Sequence, residues 1–148
     1  MASAARALDA NAQLPLALVQ WVARIGEPLY QCQPPTGYSD KAETWVNTGA
    51  LLNRLNFALQ LAGGRMRGVQ VSTGALLGET NMDEPQAELS RAIELFLAGQ
   101  ISPGTRSTLQ KQLSNPASLN ASLADRVDRV DAGVIAGLVL GTPEFQRR

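Results

Sequence analysis

Residues 45–62 read WVNTGALLNRLNFALQLA, from Trp45 to Ala62. Laid on a helix at about 100° per residue, Leu51, Leu52, Leu55, Ala58, Leu59 and Ala62 gather on one broad face, and Val46, Ala50, Phe57 and Leu61 on a second. Two narrow polar strips separate them, Asn53, Asn56 and Gln60 on one side and Asn47 with Arg54 on the other. A surface helix carries one apolar stripe and a charged back. Two apolar faces therefore predict a central helix clamped between neighbours.

The stretch that leads into this helix, PLYQCQPPTGYSDKAE from Pro28 to Glu43, has a different character. Pro28, Pro34, Pro35 and Gly37 forbid regular structure, yet Tyr30, Tyr38 and Trp45 crowd into and just beyond it. Three of the four Trp and Tyr side chains of the chain lie there, which predicts an ordered loop. Two readings of that loop stay open. In one it is a strap lying across the helices, with rings as anchors and tyrosine hydroxyls bonded to backbone groups. In the other, Tyr30, Gln31, Gln33, Tyr38, Trp45, Asn47 and Asn53 frame a shallow site for a neutral polar ligand such as a carbohydrate. Arg54, a guanidinium on a helix apolar on two sides, needs partners; it is expected to anchor the strap through backbone carbonyls or through Asp40 or Glu43.

Further helices are read outward from this centre. Upstream, residues 3–10 favour a short helix, and Leu14, Leu18, Trp21, Val22 and Ile25 recur at helical spacing with Pro15 in the first turn and Gly26 as the stop. Downstream, Gly63 and Gly64 supply a left-handed cap, and Val69 with Val71 suggests a short extended segment. The glycines and arginines of residues 63–68 do not make a phosphate loop: a helix precedes them and no Gly-Lys-Ser/Thr follows. Asp83 with Pro85 and Gln86 opens a helix that buries Leu89, Ala92, Ile93, Phe96 and Leu97 and ends at Gly99. Ser102-Pro103 opens the next, with Leu109 and Leu113 inward and Asn115-Pro116 as the close. A last helix is predicted from about Leu119 to Leu140, its charged first half solvated, Asp125 paired with Arg129, and its second half interior. Gly133, Ala136 and Gly137 would let another helix approach closely. Thr142-Pro143 stops it, and Phe145 is expected to tuck back. The predicted fold is all-α: a compact bundle of about five helices, residues 1–148 forming one domain, with a long Pro/Tyr-rich loop packed across it.

Composition narrows the function. Thirteen basic and thirteen acidic residues cancel, and only 18% of the chain is charged, which argues against nucleic acid or an anionic membrane as partner. The chain has no histidine, so Ser-His-Asp and Cys-His chemistry is impossible within it and the commonest metal ligand is missing. No metal site, cofactor or catalytic residue is predicted. An enzyme would have to use paired carboxylates such as Glu27, Asp40 and Glu43, whose spacing reads better as solubilising charge. The lone Cys32 cannot form an internal disulfide. The longest apolar run, Val134 to Leu140, is far short of the roughly 20 residues of a membrane span, and residues 1–13 lack the apolar core of a signal peptide.

The segment GEPLYQCQPPTGYSDKAETWVNTGALLNRLNFAL (Gly26 to Leu59) together with GLVLGTPEFQRR (Gly137 to Arg148) resembles the C-terminal part of the bacterial family catalogued as domain of unknown function 1800. Gly26, Pro28, Leu29, Tyr30, Gly37, Tyr38, Trp45, Arg54, Asn56, Phe57, Pro143, Glu144 and Phe145 occupy the matching positions. The resemblance carries no activity, cofactor or catalytic residue. It implies that the chain corresponds to the C-terminal third of a longer protein, periplasmic or exported, whereas the chain read as complete predicts a cytoplasmic product. The reading favoured overall is a non-catalytic helical interaction or scaffold domain that meets a protein partner or a second copy through an apolar helix face, with the carbohydrate module as the alternative.

Overall fold

The central apolar helix forms as the 3.6-residue period demands, as α3, Thr48–Ala62, but it is not the most interior element. The structure, a computed structural model, describes residues 1–13, 16–26, 28, 30–32, 34–38, 41, 48–78, 85–114 and 131–147. Within them the chain order is α1 (Ala2–Ala7), β1 (Asn11–Ala12), α2 (Leu16–Ile25), α3, β2 (Val69–Gln70), α4 (Thr73–Leu77), α5 (Pro85–Leu97), α6 (Pro103–Ser114), α7 (Ala132–Leu140) and α8 (Pro143–Gln146). The fold is all-α. Of the described helices, five run nine residues or longer: α2, α3, α5, α6 and α7. The strands pair antiparallel, Asn11 opposite Gln70 and Ala12 opposite Val69, so the extended segment at Val69 finds a partner that no period-2 pattern announced.

The centre belongs to α7. Every residue from Gly133 to Leu140 is buried, and the helix packs chiefly against α3 and α5, with α4 alongside. Ile135 and Val139 are wholly inaccessible, and each such side chain gains about 1.5–3 kcal/mol by leaving water. The close approach expected at the small residues is real. A Cβ on Gly137 would stand 2.8 Å from Leu59 Cα, and one on Gly133 would stand 2.8 Å from Ala62 O and Gly63 Cα. Those neighbours are backbone of α3 and cannot swing aside. Backbone-to-backbone contact is how α7 excludes water on every side.

Two expectations give way here. The last helix does not run unbroken through Asp131: that residue is extended (φ −106°, ψ 171°) and caps α7, its carboxylate accepting from Val134 N at 2.8 Å. The segment 115–130, with the Asp125–Arg129 pair, lies outside the described residues. Nor is α3 apolar-buried along its whole length. Phe57, Ala58, Leu59, Leu61 and Ala62 are buried, but Leu51 and Leu52 at its start are 46% and 48% exposed.

Local chemistry explains the remaining boundaries. Gly26 (φ 117°) ends α2 as a left-handed stop. The Thr73 hydroxyl donates to Ala62 O at 2.6 Å, closing the C-terminus of α3 with the first turn of α4, a short helix that the sequence pattern missed. Ser102 Oγ accepts from Thr105 N at 3.1 Å and caps α6. Along α5, Leu89, Ala92, Ile93, Phe96 and Leu97 are buried as their spacing requires; its predicted cap Asp83 lies outside the described residues. Glu88 is buried on the same helix. Desolvation raises its pKa, Arg91 opposes the rise, and Asp131 adds to it.

Candidate functional site

Arg54 sits one turn before Phe57 and Ala58 on α3, where the buried half of that helix begins. Its side chain therefore leaves the core half-buried. The element opposite is built by the sequence Thr-Pro-Glu-Phe-Gln. Thr142 is extended and caps α8, accepting from Phe145 N, while its hydroxyl donates to Val139 O at 2.7 Å. Pro143 occupies the first turn, where a missing N–H is harmless. The short helix turns back on α7, so that Phe145 packs against the core and Gln146 faces Arg54. Gln146 Nε2 donates to Gly141 O at 3.1 Å, and its Oε1 accepts from Arg54 Nη1 at 3.5 Å.

Between these elements lies a cleft of about 380 Å³. Met1, Ser3 and Ala4 of the first helix form one wall, and Val22 with Ile25 of α2 another. Arg54, Phe57 and Ala58 of α3 also line it, as do Leu140, Phe145 and Gln146. The walls are mostly apolar, and among the described residues Arg54 brings the one ionised side chain and no carboxylate lines the cleft. The Met1 amino group lies near Arg54, and burial and that guanidinium lower its pKa.

The polar group beside it serves a different purpose. Glu144 points away, its Oε1 accepting from Thr105 Oγ1 at 2.9 Å and Ser102 N at 3.2 Å. Partial burial works against the charged carboxylate, but its own backbone amide and the Thr105 and Ser102 donors outweigh that and hold its pKa below the ordinary range. Its other oxygen, Oε2, is buried with no hydrogen-bond partner among the described residues. Glu144 thus ties α8 to the N-terminus of α6.

The residues singled out from sequence fall in several places. The Tyr38 hydroxyl donates to Pro28 O at 2.7 Å, so the strap closes on itself. Tyr30 stands fully exposed with φ 60°, a conformation uncommon outside glycine, and Gln31 is exposed beside it. Asn53 Nδ2 donates to Arg24 O at 2.7 Å, satisfying a carbonyl at the end of α2. Gln33, Trp45 and Asn47 lie outside the described residues, as do Glu27, Asp40 and Glu43. Among the described residues Arg54 bonds Gln146 of α8, and it lines the cleft; its expected carboxylate partners Asp40 and Glu43 lie outside the described residues. Gln146 and Ser3 had no signal of their own in the sequence, and Val22 had only that of an apolar helical position. Among the described residues no cluster of three His, Cys, Asp or Glu side chains is placed to hold a metal ion.

Two widely separated parts of the resembling pattern, Arg54 with Phe57 and Phe145 with its neighbour Gln146, converge on this one cleft. The sequence pattern of the family described as "Protein of unknown function (DUF1800)" matches residues 1–147. The chain belongs to the DUF1800 family. No curated protein and no solved structure matches it. Membership in DUF1800 brings no assigned chemistry, so functional inference rests on the surface and the cleft. Among the described residues no helix is long and apolar enough to cross a membrane.

Proposed function

We propose that this chain is a non-catalytic helical interaction domain that scaffolds a larger assembly, meeting a protein partner or a second copy through apolar helix surface. The observation that carries this reading is the state of α2. Its sequence is LALVQWVARI, yet only Trp21 is buried, and Leu16 and Val19 are 66% and 38% exposed. Leu51 and Leu52 add apolar surface at the start of the neighbouring α3. Apolar side chains scattered singly are normal, whereas groups of them mark contact surfaces. Light scattering across a wide concentration range tests the reading. The expected result is an apparent mass that climbs with concentration, and falls back when Leu16 and Val19 are both changed to Gln. A chain that stays strictly monomeric at the highest concentration, and whose surface takes up no hydrophobic dye, overturns it.

A second reading, a carbohydrate-binding module, has an observation of its own in Tyr30. A fully exposed ring held at positive φ is costly, by roughly 1–3 kcal/mol, and offers a flat apolar face beside the exposed amide of Gln31. Calorimetric titration with neutral sugars decides it: heat that vanishes in Tyr30→Ala supports this reading, and a flat titration of the native chain removes it.

A further inference from the structure

We propose that the cleft between α1, α2, α3 and α8 is a binding site for a small carboxylic acid bearing an apolar tail, held at its carboxylate by Arg54. A guanidinium carries five N–H donors in a fixed fork and accepts nothing. Here the described contacts of Arg54 give it one acceptor, Gln146 Oε1, at the 3.5 Å limit of a hydrogen bond. The amide nitrogen of Gln146 is itself a donor, bonded to Gly141 O, and accepts nothing from the guanidinium. Arg54 lines the cleft, as does Ser3.

The class of ligand follows from charge and shape. Burial and the Arg54 charge lower the pKa of the Met1 amino group in the same cleft, which leaves the guanidinium as the permanent cation there, and the guanidinium fork matches a carboxylate in bidentate geometry. Among the described residues no acidic side chain lines the cleft to compete for it or to repel an anion. A phosphate dianion would bring two charges to that one permanent cation and be pressed against Phe57, Phe145 and Leu140, which offer it nothing in return for lost water. An apolar tail, by contrast, is what those walls accept. The volume of about 380 Å³ sits at the lower end of the roughly 300–1,000 Å³ of small-molecule sites. Five chain segments close round it, so it takes a compact ligand better than a long peptide. The site is separate from the outer face of α2, and neither depends on the other.

The test uses the whole chain and a charge series of equal length: octanoate, octanol and octylamine, each below its micelle threshold, with acetate as the tail-less control. Calorimetry should show octanoate bound at least about tenfold more tightly than octanol, since a bond to a charged group amounts to that factor or more, with octylamine and acetate weaker still. Arg54→Gln should remove the preference for octanoate and Arg54→Lys should restore part of it, both with an unchanged circular dichroism spectrum. Amide and side-chain shifts on titration should centre on Arg54, Phe145 and Gln146. Equal binding of octanoate and octanol, acetate binding as well as octanoate, no binding at all, or shifts centred on Leu16 and Val19 would each overturn the proposal. Should Arg54→Gln fail to fold, the charge series on the native chain still decides.

Discussion

Helices α2 and α7 are made of similar material and meet opposite fates. Both are short and overwhelmingly apolar, LALVQWVARI against AGVIAGLVL. One residue of α2 is buried; eight consecutive residues of α7 are. Composition separates them in part, since α2 carries Gln20 and Arg24 and α7 has no polar side chain, although the side chains of α2 are if anything larger. The other difference is how closely the backbone can come. Gly133 and Gly137 let α7 touch the main chain of α3, and once two backbones meet, little room is left for water on any side. Helix α2 has no such seam. It is held by one inserted ring, Trp21 edge-on to Phe57 at 5.9 Å and capped by the Arg24 guanidinium at 5.0 Å, and by the Asn53 bond to its last turn.

If that account is right, adding bulk should wreck α7 and leave α2 untouched. Gly137→Leu is expected to abolish cooperative unfolding, since even its Cβ overlaps backbone, while Ala23→Leu on exposed α2 should shift stability by no more than about 0.5 kcal/mol. Denaturant titration of the pair breaks the comparison if the two behave alike. Removing the ring comes next. Trp21→Ala should cost about 3 kcal/mol, because it deletes the single buried residue by which α2 is held, and protease cleavage within residues 16–25 should rise with it.

Smaller effects come from two carboxylates, Glu88 buried on α5 and Glu144 on α8. Glu144→Ala removes a partner of the α6 N-terminus and should cost about 1 kcal/mol near neutral pH. Because the folded state holds Glu144 below its ordinary pKa, that contribution is full above the ordinary carboxyl range and disappears as the pH falls through the lowered value. Glu88 titrates with the opposite sign. Its raised pKa favours the neutral acid in the folded state, so stability is greatest below the ordinary carboxyl range and declines as the pH rises through the raised value. Glu88→Gln should therefore raise the melting temperature at neutral pH and leave it unchanged in acid, read by thermal scans at both. Smallest of all, Leu16→Gln with Val19→Gln should leave the denaturation midpoint within experimental scatter, because both side chains already face water.

The helices were legible where a 3.6-residue period met a recognisable stop. Phe96 and Leu97 of α5, Leu109 and Leu113 of α6, and the Gly26 end of α2 all stand where their spacing requires. The interior ranking was not. Asn, Arg and leucine strips made α3 look like the centre, whereas α7, whose small residues register as weakly helical, holds it. Nor could Asp131 be told from its charged neighbours, since a cap and a solvated acid have the same local chemistry until the chain turns. At the cleft, Arg54 stood out because a guanidinium in an apolar setting demands an explanation. Its partner Gln146 did not, for the bond joins residues 92 positions apart and no local pattern encodes such a distance.

The central place of α7 bears on the order in which the protein is made. Helices α3 and α5, which flank it, leave the ribosome well before residues 132–140 do, and N-terminal segments start to fold as they emerge. Until α7 arrives, their inner faces have nothing to pack against. The molecule thus waits, during synthesis, for residues 132–140, and the seam of Leu59 and Ala62 stays uncovered in the interval.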